Sequence, residues 1–113
     1  MKTFNHIYID IYEINIYWCR CSRQSFVERC VEVFGKELPD ISDRWTDGSF
    51  YSWKQSDGRC IGVIWLKNRT LSTRVHECFH AVKWIMDQQG LWLTDSSEEA
   101  YAYLLTYLFE KTK

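Results

Sequence analysis

The chain has 113 residues, a formal charge of −1, and six Trp, seven Tyr and six Phe. That length suits one domain with a real core and little chain to spare. The near-neutral charge argues against the basic footprint of a nucleic-acid binder, and the ordinary apolar content argues against intrinsic disorder.

No apolar run approaches the ~18 residues of a membrane span. The opening MKTFNHIYIDIYEINIYW carries His6, Asp10, Glu13 and Asn15 and no small-residue cleavage site, so it does not read as a signal peptide. The five cysteines, Cys19, Cys21, Cys30, Cys60 and Cys78, are odd in number and unpaired in spacing. That usage suits reduced thiols, and a cytoplasmic location is expected. Cys19-Arg20-Cys21 resembles half of a soft metal site, but no second pair completes it.

In chain order, residues 6 to 18 alternate apolar and polar. Ile7, Ile9 and Ile11 share one parity; Ile14, Ile16 and Trp18 take the other. The phase slip means either one bulged strand or two short ones. Ser22 to Phe34 has Phe26, Val27, Cys30, Val31 and Phe34 at helical spacing, with Gly35 as the C-cap. Lys36 to Gly48, with the single proline Pro39, reads as a loop. Ser49–Gln55 and Cys60–Lys67 flank Ser56-Asp57-Gly58-Arg59, a hairpin signal. From Ser72 to Gln89 the apolar residues Val75, Phe79, Val82, Ile85 and Met86 mark a helix closed by Gly90. Ser96 to Glu110 forms another, with Ala100, Tyr103, Leu104, Tyr107 and Leu108 near one face. The order β-α-β-β-α-α predicts an α+β domain with a small, mostly antiparallel sheet.

The chemistry concentrates in VHECFHAV, residues 75 to 82. Residues four apart share a helix face, so the imidazoles of His76 and His80 can converge on one zinc ion at roughly 2.1 Å each. Glu77, rotated ~100° from His76, sits beside the ion and can take a proton from the water it activates. Cys78 is turned about 200° away and is not a ligand. The bland alternative is a chance arrangement on an amphipathic helix.

No histidine follows His80, so a third ligand must come from elsewhere. The next helix offers Glu98 and Glu99. Glu99 is preferred, because Ala102 one turn on would let the helices approach closely, whereas Glu98 has Tyr101 at that offset. Ser96-Ser97-Glu98-Glu99 equally fits a capping box, with Glu99 folded back on Ser96. His6 in the first strand and Asp87 two turns past His80 are set aside as site residues.

His76-Glu77-x-x-His80 followed by Glu99-Ala-Tyr-Ala102 resembles the gluzincin branch of zinc metallopeptidases. The run SEEAYAYLLTYL resembles small zincin-like proteins of bacteriophages and minimal stand-alone gluzincins. The resemblance covers about residues 72 to 108. It implies a single zincin-like domain over 1–113, with His76, His80 and Glu99 as ligands of Zn2+ and Glu77 as general base. It also implies that the strand before the motif, Cys60 to Lys67, pairs with an extended peptide substrate. The oxyanion-stabilising residue of larger relatives has no clear counterpart, and Tyr103 is the in-chain candidate; Trp65 and Trp84 could wall the cleft. The competing expectation is a catalytically silent zinc-binding module, a phage or prophage accessory factor. A nucleic-acid role would rest on Arg20, Arg23 and Arg29 alone, which read more simply as a solvated face.

Overall fold

The computed structural model describes residues 3–38 and 47–113. Pro39 and the rest of the expected loop up to residue 46 lie outside the described residues. The elements are β1 (Asn5–Ile9), β2 (Ile14–Arg20), α1 (Arg23–Phe34), β3 (Gly48–Lys54), β4 (Cys60–Leu66), α2 (Leu71–Gln88) and α3 (Glu98–Lys111). The fold is α+β, as expected, with one strand more than the order read from the sequence.

The phase slip is a turn. Asp10 to Glu13 reverses the chain, and Ile9 pairs with Ile14 in an antiparallel hairpin. Ile7, Ile9, Ile14 and Ile16 thereby reach the same face, while Ile11 sits in the turn and is 78% exposed. Glu13 takes a left-handed conformation, φ 53°, to close it.

The strand order is β1-β2-β4-β3. Both hairpins are antiparallel, but β2 and β4 run parallel, with Cys19 opposite Trp65. The sheet is therefore mixed. A parallel neighbour needs a crossover, supplied here by the segment that contains α1. Helix α1 begins at Ser22, whose Oγ accepts from the Ser25 amide, and ends at left-handed Gly35. The amides of Gly35 and Lys36 return to the carbonyls of Val31 and Cys30, a Schellman closure.

Strand β4 is buried along six successive residues, Ile61 to Leu66, because both faces of the sheet are covered. Phe26 and Cys30 of α1 pack on Cys19, Ile61, Val63 and Trp65. On the other face Ile64 and Leu66 meet Cys78, Ala81, Val82, Ile85 and Met86 of α2, and Tyr101, Leu104 and Leu108 of α3. Gly62 lets α2 come this close: a Cβ there would lie 2.7 Å from Trp84 Cζ3 and 2.9 Å from Ile16 Cδ1.

The helical stripes are rotated from those expected. Val75 and Phe79 are partly exposed, and in α3 the buried line runs through Tyr101, not Tyr103. The two helices run antiparallel. The Arg74 guanidinium stacks on Phe109 at 3.7 Å and Cys78 Sγ meets Thr112 Oγ1 at 3.5 Å, while Tyr101 Oη donates to the Leu91 carbonyl beyond the far end of α2.

Candidate metal centre

Helix α2 carries the cluster. The helix rests on its buried stripe, Cys78, Ala81, Val82, Ile85 and Met86, more than on propensity, and it ends where Gly90, φ 70°, allows the Leu91 amide to return to the Met86 carbonyl. His76 and His80 stand one turn apart on its exposed side, with their Nε2 atoms 3.0 Å apart and rings at 78°. Two zinc–nitrogen bonds of about 2.1 Å at a tetrahedral angle hold their nitrogens about 3.4 Å apart. The pair is thus set to within a few tenths of an ångström of a shared ion.

Glu77 completes the group, all three donor atoms lying within 4.8 Å of one another. It is 7% exposed. Burial raises its carboxyl pKa, and the nearby His76 and His80 pull it partly back. Its depth depends on Gly48, where a Cβ would stand 3.0 Å from Glu77 Cγ and 2.7 Å from Thr73 Cγ2. The bare backbone at the start of β3 makes room for the carboxylate.

The cluster opens into two adjoining hollows between α2 and β3. One, of about 310 Å³, is bounded by Asp47, Gly48, Ser72, Thr73, His76 and Glu77. The other, of about 400 Å³, runs past Phe50, Ser52, His80 and Trp84 to Asp87. Trp84 therefore does wall the cleft, its ring 5.7 Å from that of Phe50. Asp87 shares this face, but both its oxygens are 2.8 Å from Lys83 Nζ.

Other residues singled out from the sequence lie elsewhere. Trp65 points to the α1 face, where its Nε1 donates to the Cys21 carbonyl. His6 bonds Asn15 Oδ1 at 2.6 Å and stacks on Tyr17, at the opposite edge of the sheet from β3. Cys78 is buried behind the cluster.

The structure does not bring Glu99 to the cluster. Antiparallel packing sets the start of α3 by the far end of α2, and Gln88 is already eight residues, about 12 Å, beyond His80. Glu99 is exposed there. Nor is it a capping-box acid: the N-cap is Ser97, whose hydroxyl is occupied by Trp92 and Thr94 of the connection. Glu99 and Glu98 remain two acids in a first turn, where the helix dipole favours them. Tyr103, 73% exposed, lines a separate groove with Tyr8, Tyr12 and Tyr107 against the β1–β2 turn.

The strand expected to receive a peptide is also displaced. Strand β4 is hydrogen-bonded by β2 on one side and β3 on the other, so it has no free edge. Among the described residues the free edge beside the cluster is that of β3. Sequence reading missed β3 and Asp47 at the site. The signal available was Gly48, a small residue directly before an aromatic strand.

No helix among the described residues is long and apolar enough to cross a membrane. Comparison of the chain with protein-family models, with curated proteins and with solved structures gives no match in any of the three.

Proposed function

We propose that the chain is a zinc-dependent peptidase, with His76 and His80 as ligands and Glu77 as general base. One observation carries the reading: two imidazole nitrogens 3.0 Å apart with a buried carboxylate beside them, open to a cleft. A site built only for structure has no use for that carboxylate, whose burial is costly.

A bound zinc ion would polarise a peptide carbonyl and acidify an adjacent water. The chain's own part is proton handling and positioning. Glu77, its pKa raised by burial, accepts the proton of the attacking water and passes it to the leaving amine. The free edge of β3 can hold an extended peptide by main-chain hydrogen bonds along Gly48–Lys54. Phe50 and Trp84, packed ring against ring, give the cleft an apolar wall beside His80.

The third ligand separates two versions of this proposal. Glu99 would have to be carried along α2 by a shift of α3; Asp47 already lines the hollow of His76 and Glu77. The distance of Glu99 and Tyr103 from the cluster favours the second reading, a zinc-binding module that hydrolyses nothing and acts through a protein partner.

The deciding experiment is zinc content of purified wild type beside His76→Ala, Asp47→Ala and Glu99→Ala, followed by a quenched-peptide cleavage assay with Glu77→Gln as control. About one zinc per chain, lost in His76→Ala, with cleavage lost in Glu77→Gln, supports the peptidase. Zinc without cleavage leaves the binding module. No zinc uptake removes both.

A further inference from the structure

The geometry points to a second reactive site, independent of the histidine cluster: Cys19 and Cys21 form a redox pair whose oxidation to a disulfide releases the clamp made by the residue between them, Arg20. The sulfurs are 3.5 Å apart. Cys19 closes the buried end of β2, whereas Cys21, just past it, is partly accessible and is the sulfur an oxidant meets first. Burial, together with the neighbouring Cys21, pushes the Cys19 thiol well up, so it stays protonated until its partner has reacted.

With hydrogen peroxide as oxidant the steps balance. The Cys21 thiolate attacks one oxygen, the O–O bond breaks, and a sulfenic acid and hydroxide result. Cys19 sulfur then attacks Cys21 sulfur, the S–O bond breaks, and the departing hydroxide takes the Cys19 proton as water. Hydroxide from the first step accepts the proton that Cys21 gave up. Two thiols and one peroxide yield one disulfide and two waters.

Arg20 is where the change is felt. Its Nε donates to the Asn68 carbonyl at 3.2 Å, and its terminal nitrogens donate to the carbonyls of Thr112 at 3.0 Å and Lys113 at 3.4 Å. One side chain thus ties the segment leading into α2 to the end of α3. The flanking backbone is pinned, since Cys19 pairs with Trp65 in the sheet and the Cys21 amide donates to the Leu66 carbonyl at 3.0 Å. Residues i and i+2 of a strand are about 6.6 Å apart, at the upper limit for a disulfide, whose sulfurs must close to about 2.05 Å. With both neighbours held, the contraction falls on Arg20, and its guanidinium swings away from the three carbonyls. The strain also makes the disulfide easy to reduce, as befits a reversible switch.

The test uses the metal-free wild-type chain, so it stands or falls separately from zinc binding. The protein is treated with stoichiometric hydrogen peroxide, its remaining thiols are alkylated, and it is digested with trypsin, which cuts after Arg20. The expected product is the peptide ending at Arg20 joined through sulfur to the peptide beginning at Cys21, reversed by mild reductant and absent in Cys21→Ser. Amide exchange over 71–74 and 108–111 should quicken about tenfold on oxidation, equivalent to losing one charge-assisted hydrogen bond. Arg20→Ala should show the same pattern while reduced. Cys21 that stops at sulfinic acid, or that joins Cys60 of another molecule, overturns the pair. A Cys19–Cys21 disulfide with unchanged exchange, or an Arg20→Ala variant with unchanged exchange, overturns the clamp.

Discussion

Gly62 sits at the centre of the sheet beneath Trp84, and adding one methyl there tests how α2 is held. The new Cβ of Gly62→Ala would lie 2.7 Å and 3.1 Å from two Trp84 ring carbons and 2.9 Å from Ile16 Cδ1. Carbon atoms pack best at about 3.5–4.0 Å, so the ring must retreat by nearly 1 Å. It cannot do so freely, because Phe50 lies against it and Ile16 is fully buried. Overpacking of this kind costs about 1–3 kcal/mol, offset by about 0.5–1 kcal/mol from removing a strand glycine. The expected net loss is about 1–2 kcal/mol, or roughly 4–12 °C in Tm. Urea unfolding followed by circular dichroism should show a lower midpoint with unchanged slope. In a Trp84→Leu background the two ring contacts are gone and only the Ile16 Cδ1 contact at 2.9 Å remains, so the penalty of Gly62→Ala should fall by about half. The two substitutions should therefore couple by about 1 kcal/mol. An equal penalty in both backgrounds would refute the idea that Trp84 is why this position is glycine.

Zinc at about one hundred times its Kd should stabilise the protein by about 2.7 kcal/mol, and a thermal melt of His80→Ala should show no such shift. Glu77→Gln should leave the metal-free protein as stable as wild type or more so at neutral pH. Because folding raises the Glu77 pKa, the folded chain holds that proton more tightly, and wild-type stability falls as pH rises from the ordinary carboxyl pKa through the raised one. The variant's advantage should consequently vanish in acid; an advantage that persists there would contradict the assignment of cause. In reduced native protein, alkylation should modify Cys21 and Cys60 and spare Cys19, Cys30 and Cys78, with Cys30 pushed up to about 12 by burial. Rapid modification of Cys30 would contradict its packing against Phe26.

What the sequence disclosed was local. Ser22 and Gly35 bracket α1, Asp57-Gly58 marks the second hairpin, and the four-residue spacing of His76 and His80 reports a shared helix face without any knowledge of the rest. What stayed hidden depends on neighbours distant in sequence. Nothing around Cys60–Leu66 says that β2 will pair with it in parallel and use up its free edge. An unbroken apolar run is the mark of a strand covered on both faces, and IGVIWL has it, yet that pattern names no partner. Glu99 stands out in the sequence through the small Ala102 one turn on, a local signal. Its distance from the histidines is set by where α2 stops, eight residues past His80, and by an antiparallel helix pair whose register rests on Arg74, Phe109, Cys78 and Thr112. A helix ended one or two turns earlier would bring the same acid closer.

The parallel pairing of β2 with β4 also sets the order in which the molecule can assemble. Each hairpin closes through neighbours a few residues apart, on a timescale of microseconds. The join between them brings Cys19 to Trp65, 46 residues away along the chain (65 − 19), and must meet a chain-closure entropy before any contact repays it. Every described residue that lines the two hollows lies within one continuous stretch, Asp47 to Asp87, on the later side of that join. The cleft's described lining is therefore contiguous in the chain, whereas the first hairpin joins β4 only across the longer closure. Substitutions in β1 or in the turn at Glu13 should accordingly slow folding or hasten unfolding while leaving the arrangement of His76, Glu77 and His80 intact.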